Sequence, residues 1–211
     1  MSMINELGLI GVVVFLLILI ISLTFHEAMH AFMSHWLGDP TAKDLGRLTL
    51  NPIKHIDPFT TVILPLVLLL LGLPPFLIAK PVPFNPYRVK YGEFGAALVG
   101  LAGPTSNLLL ALVGVSAMRI LGVAIGTTTY EIVSLFVQLN IAVFVFNMIP
   151  FPPLDGSRVL YAFAPDPVRK VMQQIESFGM MGIFIFMFVL FPLLIPVVNF
   201  LNKFFFQLFL G

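Results

Sequence analysis

Long apolar stretches are the feature that most limits how this chain can fold. Residues 7–25 contain no charged side chain, and a helix that crosses a membrane needs about 20 mostly apolar residues. Similar stretches follow, so that 59% of the 211 residues are hydrophobic and only 10% are charged. A soluble domain carries about 25% charged residues, which it needs to cover its core. The chain is therefore predicted to be an all-α polytopic membrane protein.

The apolar stretches predict about four spanning helices, a re-entrant segment, a short extended segment and an interfacial helix. The expected spanning helices are residues 7–36, 93–121 and 130–149, with a last one from about residue 178 that is either one helix or two. Residues 59–79 are expected to re-enter, and the prolines in residues 80–91 exclude a helix there. Asp166, followed by Pro167, is the expected N-cap of the interfacial helix. Residues 1–211 then form one membrane-embedded domain, with a core at about 7–160 and the interfacial and C-terminal helices in 161–211.

The positions of the cations predict the orientation in the membrane. The first cation of the chain is Lys43, so the first helix is expected to insert with its N-terminus outside. If residues 59–79 crossed the membrane, a later group of cations would face outwards. A re-entrant segment keeps this group in the cytoplasm, and its members are Lys80, Arg88, Lys90, Arg158, Arg169 and Lys170. A kinked spanning helix is the alternative, since about 21 apolar residues are long enough to cross.

Composition also excludes several classes of function. The net charge is only +1, which argues against binding nucleic acid through a basic surface. The chain has no cysteine, so disulfides, Cys-ligated zinc and thiol catalysis are excluded.

His26, Glu27 and His30 form an HExxH motif inside the first predicted membrane helix. A spacing of four residues places both imidazoles on one helix face, as two ligands of a tetrahedral zinc ion require. Glu27 lies beside them and can act as a general base. Ionisable side chains at membrane depth are costly and mark functional sites by default. The alternative is a buried polar cluster that only holds helices together.

A zinc site needs a third protein ligand, and Asp155 is the best candidate. It follows a helix that three prolines interrupt, and irregular backbone at membrane depth is tolerated where it is buried or lines a wet cavity. His35 is about 180° round the helix from His26 and faces away. Three acids near predicted helix ends are expected to be interfacial charges: Glu93, Glu131 and Glu176. An ordinary Asp-Gly turn is the alternative for Asp155.

Three motifs in order resemble the site-2 protease family of intramembrane zinc metalloproteases. They are HEAMH at 26–30, AGPTSN at 102–107 and NMIPFPPLDG at 147–156. The chain is similar to the small prokaryotic branch without PDZ or CBS modules. The resemblance implies one zinc ion held by His26, His30 and Asp155, with Glu27 as catalytic acid and base. It also implies a prokaryotic cell membrane, a site open to the cytosolic side, and cleavage of membrane-anchored substrates within or near their transmembrane segments.

Several further residues are candidates for contact with the substrate. Asn107 lies on a narrow face of small residues of its helix and either holds helices together or, as the resemblance implies, donates to the substrate carbonyl or oxyanion. Asn147 has the same two interpretations. Val82 and Phe84 lie in the extended segment, which could pair with an unwound substrate strand. His55 is expected to be a surface residue rather than a residue that admits the substrate.

Two other functions remain open at this point. A metal-ion transporter explains the intramembrane ligands but gives Glu27 no role, and a catalytically inactive scaffold would bind helices without zinc. The expected partners are a membrane-spanning protein substrate, the lipid bilayer and a regulatory membrane protein, but no nucleic acid. The oligomeric state is not predicted.

Overall fold

The structure is a computed structural model that describes residues 8–72 and 80–210. The described α-helices are α1 Leu9–Trp36, α2 Thr41–Asp44, α3 Leu64–Leu70, α4 Gly92–Ile120, α5 Thr128–Asn147, α6 Gly156–Phe163, α7 Asp166–Ser177, α8 Met180–Ile185 and α9 Phe191–Leu210. A short 3-10 helix covers Pro52–Lys54, and π-helical turns cover Pro58–Ile63 and Phe186–Leu190.

Four helical stretches of the described chain are long and apolar enough to cross a membrane. They are Ile10–Trp36, Gly92–Ile120, Thr128–Asn147 and Met180–Phe209. The prediction of an all-α fold with four spanning helices is therefore confirmed. Residues 80–91 contain no helix, as the prolines predict, but residues 86–91 form turns. We call residues 80–85 the extended segment.

The helix before the proline-rich turn is shifted by two residues from its prediction. α5 starts at Thr128 because the Thr127 hydroxyl accepts a hydrogen bond from the Tyr130 N–H at 3.2 Å, which is a typical N-cap. It ends at Asn147 rather than at residue 149. A proline disfavours the helical conformation of the residue before it. Pro150 therefore prevents the helix from continuing.

Residues 156–177 form two helices where the sequence predicted one. The predicted interfacial helix is α7, but its N-cap is Pro165, and Asp166 is its first helical residue. An acid in the first turn still faces the positive end of the helix dipole. α6 was not predicted, because eight residues that begin with glycine carry too little periodicity to indicate a helix.

The last spanning stretch is helical throughout, although it contains two prolines. The π turn at Phe186–Leu190 lies directly before Pro192. Proline cannot donate to the carbonyl four residues earlier, and a π turn absorbs such a break in the hydrogen-bond register. The last spanning stretch is therefore one helix, in which α8 and α9 are joined by the π turn.

α4 is the central helix of the bundle. Its Ala111 and Val115 pack with Val137 and Ile141 of α5 and with Val198 of α9 in one buried apolar cluster. Towards its N-terminus, α4 buries a face of small residues, Ala96, Gly100 and Gly103. Small residues let membrane helices approach closely, and this face lies against α1 and α6.

The two ends of the expected re-entrant segment lie next to each other. The Lys80 N–H donates to the His55 carbonyl at 3.0 Å, so the chain returns at residue 80 to where it left at residue 55. This proximity of the two ends agrees with the re-entrant segment expected from the sequence. Its residues 73–79 lie outside the described residues.

Candidate active site

His26 and His30 face each other near the C-terminal end of α1. The Nε2 atoms of His26 and His30 lie 3.1 Å apart, and the two side chains are buried, with 4% and 7% of their surface exposed. The rings meet edge to face, with centroids 4.7 Å apart. This is the arrangement that residues four apart adopt on one helix face.

Asp155 joins this pair from the other side of the bundle. Its Oδ2 atom lies 3.0 Å from Nε2 of His26 and 3.3 Å from Nε2 of His30. Burial alone would raise the pKa of the Asp155 carboxyl, but the neighbouring imidazoles of His30 and His26 outweigh it and hold this pKa below its ordinary value. The carboxylate oxygen is directed at both Nε2 atoms.

A tight turn delivers Asp155 to this position. The residue after it, Gly156, opens α6, and a Cβ atom there would lie 2.4 Å from the Met148 carbonyl oxygen. Only glycine allows the start of α6 to approach the end of α5 so closely. The Asp-Gly pair is thus part of the site rather than an isolated loop turn.

The three donor atoms fit a zinc ion. Zinc prefers nitrogen and oxygen ligands at about 2.0–2.2 Å in a tetrahedron, which places neighbouring ligand atoms about 3.3–3.6 Å apart. The observed separations of 3.0, 3.1 and 3.3 Å are close to that spacing. In the part of the chain that the structure describes, His26, His30 and Asp155 are the group of ligating side chains that could hold a metal ion. Three ligands leave a fourth position open, as catalytic zinc sites do.

The small-residue face of α4 forms one wall of this group. A Cβ atom at Gly103 would lie 2.3 Å from Nε2 of His30 and 2.8 Å from Nε2 of His26. A Cβ atom at Gly100 would lie 3.1 Å from the carbonyl oxygen of Asp155. Gly103 therefore leaves room for the two imidazoles, and Gly100 leaves room for the backbone that carries Asp155.

The second ring nitrogen of each histidine is bound to α4. Nδ1 of His26 lies 2.7 Å from Oδ1 of Asn107, and Nδ1 of His30 lies 2.7 Å from the Val99 carbonyl oxygen. A carbonyl oxygen only accepts, so Nδ1 donates and Nε2 is left to bind a metal. Val99 was not singled out in the sequence, because a backbone acceptor leaves no mark on residue type.

Asn107 is fully buried and its side chain uses all of its hydrogens. Its Nδ2 donates to the Ser22 carbonyl at 3.1 Å and to Oδ1 of Asn140 at 2.9 Å. Of the two interpretations left open by the sequence, these contacts favour the one in which Asn107 holds helices together. Its contact with His26 was not predicted. Asn147 donates from Nδ2 to the Val143 carbonyl of its own helix at 3.0 Å.

Glu27 is held by the extended segment. Its Oε2 accepts a hydrogen bond from the Val82 N–H at 3.0 Å, and 9% of the residue is exposed. The carbonyl oxygen on the same peptide unit, that of Pro81, accepts from the buried guanidinium of Arg47 at 3.2 Å. One peptide unit therefore connects Arg47 to Glu27, so that the cation polarises the amide that donates to the carboxylate.

Arg47 also joins the two ends of the stretch between residues 54 and 80. Its guanidinium donates to the carbonyl of Lys80 at 2.6 Å and to that of Lys54. The sequence analysis did not single out Arg47. Its role depends on carbonyl groups far apart in the chain, and no local pattern indicates it.

Val82 and His55 occupy different surroundings from those expected. The side chain of Val82 is buried with Ala31 and Ala42, so it packs against α1 and α2. His55 is only 3% exposed, and its Nε2 lies 2.8 Å from the Thr49 carbonyl oxygen. The expectation of a surface histidine is therefore wrong, because the imidazole is buried and bound to the Thr49 carbonyl.

Phe84 remains partly exposed. It lies beside α6, with its ring centroid 6.0 Å from the Arg158 guanidinium carbon. Of the two predicted residues in the extended segment, Phe84 is the one whose side chain keeps a solvent- or lipid-facing surface.

Asp39 anchors the far end of the extended segment. Its fully buried carboxylate accepts hydrogen bonds from the Asn85 N–H at 2.6 Å and from the Thr41 hydroxyl at 2.6 Å. Burial acts to raise the pKa of Asp39, but these hydrogen bonds and the charge of Arg88 outweigh it and lower the pKa. The extended segment is thus fixed at both ends, over Glu27 and over Asp39.

Comparison with known proteins identifies the family. A sequence profile described as peptidase family M50 matches residues 121–190, a range that includes Asp155. The chain is also 42% identical over 178 residues to YwhC, a candidate zinc metalloprotease of Bacillus subtilis, a match that covers 81% of this chain and 78% of the relative. The chain belongs to peptidase family M50. The resemblance to site-2 proteases is thereby confirmed.

More distant M50 relatives come from mycobacteria, and both are candidate zinc metalloproteases called Rip2. The identity is 28% to the protein of Mycolicibacterium smegmatis, over 97% of this chain and 75% of the relative. It is 30% to the protein of Mycobacterium tuberculosis, over 85% of this chain and 66% of the relative. No solved structure matches this chain.

Proposed function

We propose that this M50 chain is an intramembrane zinc metalloprotease of the HExxH type, with one zinc ion held by His26, His30 and Asp155. The observation that carries the proposal is the triangle of donor atoms with separations of 3.0, 3.1 and 3.3 Å. Bound zinc supplies Lewis acidity, which lowers the pKa of water towards about 7 and polarises a carbonyl group. The chain itself supplies the ligands, their orientation and the acid–base group.

Glu27 is the proposed acid–base group. Its carboxylate takes a proton from the water that attacks the peptide carbonyl, and gives that proton to the amine nitrogen as the C–N bond breaks. The Val82 N–H holds Oε2 at 3.0 Å, so the carboxylate is oriented before substrate arrives. An oriented acid–base group lowers the entropy cost of the reaction.

The proposed substrate is a protein segment that crosses the membrane. His26 and Glu27 lie on α1, and Gly103 of α4 lies against the histidines. Asp155 lies in the turn between α5 and α6. α1, α4 and α5 are each long and apolar enough to span a membrane. A substrate helix satisfies its own amides, so it must unwind locally before attack. The extended segment lies over Glu27 and is the part of the site best suited to pair with an unwound strand.

The test compares the wild type with Glu27→Gln, which keeps the shape of the side chain. Both proteins are purified, their zinc content is measured, and each is incubated with a membrane-anchored model substrate. A protease gives stoichiometric zinc in both proteins and cleavage only in the wild type. Equal metal flux through both proteins without cleavage would indicate a transporter, and helix binding without zinc would indicate a scaffold.

We also propose that the N-terminus is outside the membrane and that the site opens to the cytosol. The hydrogen bond between Lys80 and His55 supports this orientation, because it brings the cations of residues 80–90 to the side where α1 ends. Single cysteines introduced at Thr41 and Asn85 should react with a membrane-impermeant reagent from the cytosolic side. A cysteine at Thr128 should react from the other side. Labelling of Thr41 and Asn85 from opposite sides would overturn the orientation.

A further inference from the structure

A buried polar chain runs from His26 across three helices and ends on α5. Its side chains are those of His26, Asn107, Ser22 and Asn140. The last three residues are each 0% exposed. Three polar residues at the centre of an apolar bundle are costly unless their hydrogen bonds are satisfied. Every hydrogen of the two asparagine amides has an acceptor within 3.1 Å.

Asn140 has its orientation fixed by a backbone group. Its Nδ2 lies 2.9 Å from the Phe136 carbonyl oxygen and 2.9 Å from Oγ of Ser22. If the amide were turned over, its Oδ1 would face the Phe136 oxygen, and two acceptors would be in contact. The Ser22 hydroxyl itself donates to the Ile18 carbonyl at 2.8 Å, so it must accept from Asn140. Asn140 therefore presents Oδ1 to Asn107.

The same reasoning fixes Asn107. Its Nδ2 lies between two acceptors, the Ser22 carbonyl oxygen at 3.1 Å and Oδ1 of Asn140 at 2.9 Å. A turned-over amide would bring its oxygen against both of them. Its Oδ1 therefore points to Nδ1 of His26, at 2.7 Å. Since Oδ1 only accepts, His26 carries its proton on Nδ1 and keeps Nε2 for the ligand group.

We infer that Asn140 and Ser22 are positioning residues of the metal site, which act through Asn107 to fix the tautomer and the ring orientation of His26. The inference rests on the proposed function. It deepens that proposal by adding two residues that do not touch the ligand group themselves. The backbone carbonyls of residues 18, 22 and 136 set the direction of each hydrogen bond that links these two residues to His26. Partners that orient a ligating histidine typically change metal affinity by about 10- to 100-fold when they are removed.

The test measures zinc affinity rather than activity. Wild type, Asn140→Leu and Ser22→Ala are purified in detergent, and the zinc Kd of each is obtained by competition with a chromogenic chelator. We expect Asn140→Leu to bind zinc at least about 10-fold more weakly, and Ser22→Ala to show a smaller loss in the same direction. The visible absorption of Co²⁺ bound in place of zinc should change in Asn140→Leu, because it reports the geometry of the ligands.

Ser134→Ala is the matched control. Ser134 is also buried in α5, with 5% exposed, but its hydroxyl has no hydrogen-bond partner among the residues that the structure describes. Its zinc Kd and cobalt spectrum should equal those of the wild type. Unfolding temperatures of the metal-free proteins are measured alongside, so that a loss of stability is separated from a loss of affinity.

Each outcome decides the inference. A lower unfolding temperature with unchanged zinc Kd and cobalt spectrum in Asn140→Leu would mean that the residue only joins helices, and would overturn it. If Asn140→Leu does not fold, Ser22→Ala decides, and a wild-type Kd in that variant overturns the inference. A wild type that does not bind zinc, or binds it equally after His26→Ala, would overturn the proposed function and this inference with it.

Discussion

Replacing Gly103 by alanine should remove the metal site while leaving the helix bundle in place. The added Cβ atom would lie 2.3 Å from Nε2 of His30 and 2.8 Å from Nε2 of His26. Ordinary contacts are about 3.5 Å, so the His30 ring would have to move by about 1.2 Å. The Val99 carbonyl, four residues before Gly103 on α4, holds the other nitrogen of that ring at 2.7 Å. The ring therefore cannot move without losing this hydrogen bond.

A displacement of this size is several times what a zinc site tolerates. Metal–ligand distances stay within about 0.2 Å of their usual values, and disturbing only the partners of ligands already costs about 10- to 100-fold in affinity. Gly103→Ala acts on two ligands directly, so we expect a loss of at least about 100-fold. Zinc Kd by chelator competition measures it, and circular dichroism checks that the helices remain.

Gly114→Ala is the control on the same helix. Its added Cβ atom would meet only side-chain atoms, Cγ2 of Val137 at 3.0 Å and Cδ1 of Phe136 at 3.2 Å, and these can shift slightly. We expect wild-type zinc affinity in this variant. If Gly103→Ala were folded and bound zinc as tightly as the wild type, the ligand nitrogens could not lie against α4, and the geometry of the site would be wrong.

Three further predictions address the third ligand, the extended segment and Asp39. Asp155→Ala should lower zinc occupancy and abolish cleavage of a membrane-anchored substrate, and stoichiometric zinc with full activity would place the third ligand elsewhere. A charge on the extended segment in Phe84→Asp should weaken cleavage of a helical substrate at unchanged zinc content, whereas undiminished cleavage would make the segment a connector. The lowered pKa of Asp39 stabilises the fold at pH values above its ordinary value of 3.8, and this stabilisation is lost as the pH falls through the lower folded value. The unfolding temperature of the wild type should therefore drop more steeply below pH 4 than that of Asp39→Asn, with Asp44→Asn, at an exposed position, as the control; equal slopes in Asp39→Asn and wild type would contradict the assignment.

The parts of the site that sequence alone predicted are those that local spacing encodes. His26, Glu27 and His30 share one helix, where a separation of four residues fixes their relative positions before any packing occurs. Asp155 required a different kind of reasoning, because it lies on a proline-interrupted stretch 125 residues beyond His30. Its approach to the histidines depends on α5 and α1 running side by side. The positions of the cations led to this expectation, because they favour a re-entrant segment at residues 59–79.

The residues that sequence reasoning missed act through non-local backbone groups. Arg47 binds carbonyls of residues 54, 80 and 81, and no spacing in the sequence relates it to them. Asn140 and Ser22 did leave a signal, since both are polar side chains within otherwise apolar spans. Polar residues in membrane helices mark interhelical contacts or functional sites, but their partners become known only once the helices are packed.

The small-residue face of α4 shows how packing and chemistry are joined in this fold. The sequence predicted it as a face for close helix contact, and Gly100 and Gly103 do bring α4 close to α6 and α1. The same missing Cβ atoms leave the space that His30 and Asp155 occupy. An added side chain at either position would therefore crowd the residues of the site at the same point where the helices meet. The close approach of the helices and the room for the metal ligands are thus one property of the backbone.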